Sequence, residues 1–142
     1  MLKHTAIVTV LLSALSGTAV AQQCLHEANE TSEQAARRRE ALTATRMVNN
    51  LEANQAGNAS RSYLRQVELG LSPFATRMRD STDEVVRRIS LNTFEEILPK
   101  WKLTLDVTPD GYWFMIADVS DPCGFAYISN QNGVIFSSAP IR

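Results

Sequence analysis

The chain has 142 residues, 44% of them hydrophobic, and a formal net charge of −1. That is one ordinary domain with enough apolar side chain for a core, which excludes disorder throughout. The balanced charge excludes general electrostatic attraction to nucleic acid, and no apolar run reaches the roughly 18 residues that a confident membrane span requires.

Residues 1–21 read as a secretory signal peptide. Lys3 supplies a positive start, Ala6 to Val20 is uncharged and apolar, and Ala19-Val20-Ala21 is a small-x-small cleavage pattern. Residues 22–142 are then expected as a single α+β domain, periplasmic or extracellular, with no stable membrane span after processing. Cys24 and Cys123 are the only cysteines. In an oxidising compartment they are expected to form a disulfide, closing a loop of roughly 100 residues. No CxxC occurs, and His26 is the one histidine left after processing, so no metal site is expected.

Along the mature chain, Asn29 to Asn54 reads as a long helix. Thr31 and Gln34 have capping-box spacing, and Ala41, Ala44, Val48 and Leu51 form one apolar stripe. The run Arg37-Arg38-Arg39 spreads around the helix and reads as a solvated face rather than a cluster. Ser60 to Leu69 is expected as a short second helix ended by Gly70, and Ser72-Pro73 as a connection. Val85, Val86 and Ile89 fit strand or helix equally. Asn92 and Glu95 suggest another short helix, stopped at Pro99.

From Lys102 the period changes to two. Leu103, Leu105 and Val107 alternate with polar residues, and Thr108-Pro109-Asp110-Gly111 is a turn. Tyr112 to Val119, Phe125 to Ser129 and Val134 to Ser137 follow as strands, separated by turns at Asp121-Pro122-Cys123-Gly124 and Asn130-Gln131-Asn132-Gly133. Short turns make antiparallel neighbours. The expected fold is therefore α+β: a long N-terminal helix packed on an antiparallel meander of about four strands, with one or two short helices between.

The segments Ala41 to Asn50 with Tyr63 to Leu69, and Gly111 to Phe114 with Gly124 to Ile135, resemble the globular half of type IV pilins and type II secretion pseudopilins. The resemblance implies a long helix on an antiparallel meander. The chain departs from that family at its N-terminus. Its apolar segment holds no Glu and ends in a signal-peptidase pattern, so a fold is implied and assembly into a pilus is not.

No catalytic constellation stands out. His26 lies near the mature terminus, and Glu95 and Glu96 point about 100° apart on a helix. Asp118 and Asp121 flank a turn and read as turn chemistry rather than a calcium site. The six glycines are scattered, with no phosphate-cradling loop, and no cofactor is expected. The densest aromatic group is Trp101, Tyr112, Trp113 and Phe114. Trp113 and Met115 share one face of their strand, and Tyr112, Phe114 and Ile116 the other. Trp101, Trp113 and Met115 are the candidate interaction surface, unless residues 71–89 cover Trp113. The sequence points to an exported, non-enzymatic domain that binds another envelope or secreted protein, in an oligomeric state it leaves open. The alternatives are a small carboxylate-based hydrolase and a pseudopilin-like structural subunit.

Overall fold

The computed structural model describes residues 24–26, 30–57, 62–92 and 96–138. The expected signal peptide lies outside the described residues.

The long helix, α1, runs Ser32–Gly57, shifted towards the C-terminus relative to the sequence expectation. Its start is set by the reciprocal cap. The Thr31 N–H donates to Gln34 Oε1 at 2.7 Å, and the Gln34 N–H donates to Thr31 Oγ1 at 3.2 Å. The Ala41, Ala44, Val48 and Leu51 stripe is buried along its whole length.

Three short helices follow: α2 (Gln66–Leu69), α3 (Pro73–Arg79) and α4 (Glu84–Arg88). The expected helix from Ser60 is reduced to α2, with residues 58–61 outside the described set. Ser72-Pro73 is not a mere connection. The Ala75 N–H donates to Ser72 Oγ at 3.1 Å and proline occupies the first helical turn, so the pair starts α3. Asp83 caps α4 through its side chain, which resolves Val85 and Val86 as helical. The helix expected from Asn92 is not continued at its far end. Residues 93–95 lie outside the described set, and Ile97 to Lys100 form a tight turn in which Leu98 bridges Trp101. Lys100 takes a positive φ of 68° there, incompatible with a continuing helix.

The sheet has strands β1 (Trp101–Thr108), β2 (Gly111–Asp118), β3 (Ala126–Asn130) and β4 (Phe136–Ser138), in the order β1-β2-β3-β4 and antiparallel throughout. Alternation decides its two faces. Trp101, Leu103, Tyr112, Phe114, Ile116, Tyr127 and Ser129 are buried, while Lys102, Thr104 and Trp113 are exposed. α1 and the short helices supply Val48, Leu51, Leu69, Ala75 and Met78 to the same core, joined by Ile89 just after α4. This is the α+β arrangement expected from the sequence, helices on one face of a four-stranded meander.

Trp101 corrects the expected interaction surface. It sits two residues before Leu103 and so shares the inward face. It is 1% exposed and stacks on Tyr127 with ring centroids 6.3 Å apart. It is a core residue.

Candidate functional site: an electrostatic clasp and an open sheet face

The Cys24–Cys123 disulfide joins residues 99 apart in sequence, with Cα atoms 5.2 Å apart. That spacing is ordinary for a disulfide. It holds the N-terminal segment against the end of the sheet where Trp101 pairs with Asp118. The Leu25 N–H adds a hydrogen bond to Asp121 Oδ1 at 3.1 Å.

So pinned, the His26 ring is fully buried, 4.6 Å from the Phe125 ring and 5.5 Å from Trp101. Its Nδ1 lies 2.9 Å from Glu30 Oε1 and its Nε2 lies 2.8 Å from Asp118 Oδ2. Arg38 donates from Nε and Nη2 to Glu30, each at 2.9 Å, in a two-pronged pair. The Ser120 hydroxyl donates to Asp118 Oδ1 at 2.6 Å.

These partners set the acids. The Arg38 hydrogen bond, against burial and aided by His26, holds Glu30 below the ordinary carboxylate range. Burial pushes Asp118 upward, but hydrogen bonds from Ser120 and His26 outweigh it, and the group stays below its ordinary value. The clasp borders an open groove of about 430 Å³ lined by His26, Arg38, Phe125, Tyr127 and Ser137.

The reading of Arg37-Arg38-Arg39 as a solvated face does not hold for Arg38, which is paired with Glu30. His26 is placed by Cys24 two residues before it. Arg38 leaves the helix face for a carboxylate eight residues earlier and for Tyr127, while Arg39 is exposed. The signal available in the sequence was the crosslink itself, which forces its neighbours to be ordered.

A second polar cluster lies under the far half of α1. The Tyr112 hydroxyl donates to Asn49 Oδ1 at 3.0 Å, Asn49 Nδ2 donates to Ser129 Oγ at 2.8 Å, and Ser129 donates to the Val134 carbonyl at 2.8 Å. This chain ties the helix to β2 and β3. Beside it, Glu52 is fully buried. Its Oε2 accepts the Leu64 N–H at 2.9 Å, and its Oε1 has no hydrogen-bond partner among the described residues. Burial, with Glu68 adding to it against the Leu64 hydrogen bond, pushes Glu52 up to about 7. Burial, then the charges of Glu52 and Tyr63, lifts the Tyr112 phenol to about 12. Thr45, Asn49 and Glu52 each follow an apolar stripe residue, so helical spacing alone placed them at the core's edge.

The opposite face of the sheet carries no helix among the described residues. Met115 pairs with Ile128 and Ile128 with Phe136, making one apolar row across β2, β3 and β4. Trp113 flanks it, 44% exposed, with its indole N–H donating to Asp106 Oδ2 at 3.2 Å. Phe136 is 57% exposed and Met115 and Ile128 are half-buried. Residues 71–89 send Ala75, Met78 and Ile89 into the core instead of over Trp113.

The structure therefore brings Cys24 and Cys123 together, places Trp113 and Met115 on the open face, and removes Trp101 from it. No helix among the described residues is long and apolar enough to cross a membrane. The chain matches no protein-family model, and no curated protein or solved structure is significantly similar to it.

Proposed function

We propose that this chain is an exported, non-enzymatic binding domain that takes its partner on the open face of the sheet. The observation that carries the reading is the Met115–Ile128–Phe136 row with Trp113 beside it. Contiguous exposed apolar surface of this kind costs solubility and marks interaction sites. The partner is another envelope or secreted protein that presents an apolar surface. The disulfide supports export, because such bonds persist in oxidising compartments.

The clasp supports a non-catalytic role. Both ring nitrogens of His26 are engaged by carboxylates and the side chain is fully buried, so neither nitrogen is presented to a reacting group. Glu52 has the protonation range of a general acid but no solvent access. These points favour binding over the hydrolase reading. The pilin-like reading is kept for the fold alone, supported by the long helix on a four-stranded meander.

Site-specific photo-crosslinking in the producing cell tests the binding. A benzophenone side chain at Phe136 is expected to give one discrete adduct, lost in the Trp113→Ser, Ile128→Ser background and absent from a probe at Arg87. An adduct that survives those substitutions, or that forms equally from Arg87, overturns it. Intact mass of the exported product tests the address, with residues 1–21 expected to be absent.

A further inference from the structure

The crosslink does not explain the side chain of Asp121, which lies beside it. Its residue is 7% exposed. One oxygen, Oδ1, accepts the N–H groups of Leu25 and Cys123 at 3.1 and 3.0 Å. The other, Oδ2, is buried with no hydrogen-bond partner among the described residues. A buried carboxylate oxygen without a donor is costly, and structures retain such groups where a cation or a proton completes them. The Cys24 and Cys123 sulfurs and a carboxylate oxygen of Asp121 all lie within 4.8 Å of one another. Two sulfurs and one oxygen so arranged are three of the four ligands of a tetrahedral zinc site, with the fourth position left to water. In the oxidised chain the sulfurs are bonded to each other and cannot serve as thiolates.

We propose that the Cys24–Cys123 bridge masks a site for a thiophilic divalent cation such as zinc, completed by Asp121 and opened by a dithiol reductant. The balance is simple. The dithiol gives two electrons and two protons to the S–S bond and leaves as its own cyclic disulfide, and Cys24 and Cys123 become thiols. Zinc then binds both sulfurs as thiolates and releases their two protons, with Asp121 contributing a carboxylate oxygen. Both cysteines are half-buried rather than enclosed, so a small dithiol can reach them. The cation would hold the N-terminal segment in place of the covalent bond, and the clasp at His26 would keep its geometry in either state.

The test uses the full mature chain and zinc alone. The oxidised and dithiol-reduced forms are freed of reductant without air and titrated calorimetrically. The reduced form is expected to bind one zinc per chain, with two thiols protected from a chromogenic disulfide reagent, and the oxidised form none. Asp121→Asn retains both thiols and the Oδ1 acceptor, and should bind zinc at least about tenfold more weakly. If reduction unfolds the chain, zinc should restore its near-ultraviolet circular dichroism in the parent and not in Asp121→Asn. Zinc binding by the oxidised chain, no binding by the reduced chain, or equal affinity in Asp121→Asn overturns the proposal.

Discussion

Glu52→Gln isolates the energetic weight of one buried acid. In the unfolded chain this carboxyl titrates at the ordinary value of 4.5, and in the fold burial raises it to about 7. Between those two values the folded state holds a proton that the unfolded state has lost. Stability from this group is therefore full below pH 4.5, falls as the pH rises towards 7, and is flat beyond. At about 1.4 kcal/mol per pH decade, the loss reaches an upper bound of about 3 kcal/mol by pH 8, a large share of the roughly 5–15 kcal/mol of a typical domain. Glutamine keeps the acceptor for the Leu64 N–H and cannot ionise. Its amide nitrogen takes the place of the unpartnered Oε1 and costs about 1 kcal/mol if it finds no acceptor. Urea unfolding followed by tryptophan fluorescence, with Trp101 as the buried reporter, measures both proteins across the range. Glu52→Gln should be equal to the parent or about 1 kcal/mol weaker at pH 5, and about 1–2 kcal/mol stronger at pH 8. Because His26, Glu30 and Asp118 are unchanged, the difference between the two proteins belongs to Glu52 alone. Parallel stability curves, within about 0.5 kcal/mol from pH 5 to pH 8, would refute the burial argument.

The other expectations concern the clasp and the two sheet faces. Replacing both Cys24 and Cys123 with Ser should lower stability by about 4–5 kcal/mol in the chain-entropy model, read from urea midpoints; a loss under about 1 kcal/mol would show the unfolded chain to be little constrained by the bond. His26→Ala leaves Asp118 buried with Ser120 as its side-chain donor, and breaking such a pair should cost about 3–5 kcal/mol at neutral pH. Glu30 and Asp118 are held below their ordinary values, so their stabilisation is present above the ordinary carboxylate range and lost as the pH falls through the depressed values; in acid titrations His26→Ala should flatten that loss. Trp101→Ala should cost about 3–5 kcal/mol, whereas Trp113→Ser with Phe136→Ser, both on exposed side chains, should stay within about 1 kcal/mol of the parent in thermal melts.

What could be read from the chain divides along physical lines. Local rules were sufficient for α1 and the meander, because the Thr31–Gln34 cap, the Ala41-to-Leu51 stripe and the Leu103-to-Val107 alternation each act within a few residues. Ser72-Pro73 was also local, but proline serves both loops and first helical turns, and the following Phe74, Ala75 and Met78 were needed to choose. Trp101 was misplaced by strand parity: starting β1 at Lys102 hides that Trp101 shares the face of Leu103. The clasp depends on contacts between residues up to 92 apart, His26 to Asp118, which no periodicity encodes. Only the cysteine pair carried long-range information, and it predicted the bond without predicting that His26 would be drawn in behind it.

The distribution of polarity across the sheet is inverted relative to a meander that simply faces water. Its covered face holds Asp118 and Ser129 with His26, Asn49 and Glu52 close by, the charged groups gathered at the two ends of α1 and each tied to a named donor or acceptor. Its uncovered face holds Met115, Ile128 and Phe136 in register, with Trp113 alongside. A sheet with one solvated face ordinarily places polar residues there; Lys102, Thr104 and Asp106 on β1 do so, as do Asn130 and Ser138 at the ends of β3 and β4, and the apolar row lies between them. The apolar row begins where β2 meets β3 and reaches the short edge strand β4. An edge strand of three residues limits pairing with another sheet edge, so a partner gains more from covering the face than from extending the sheet. That geometry favours packing of side chains onto Met115, Ile128 and Phe136 over strand addition. It also explains why substitutions in this row should be silent in the free protein and decisive in its complex.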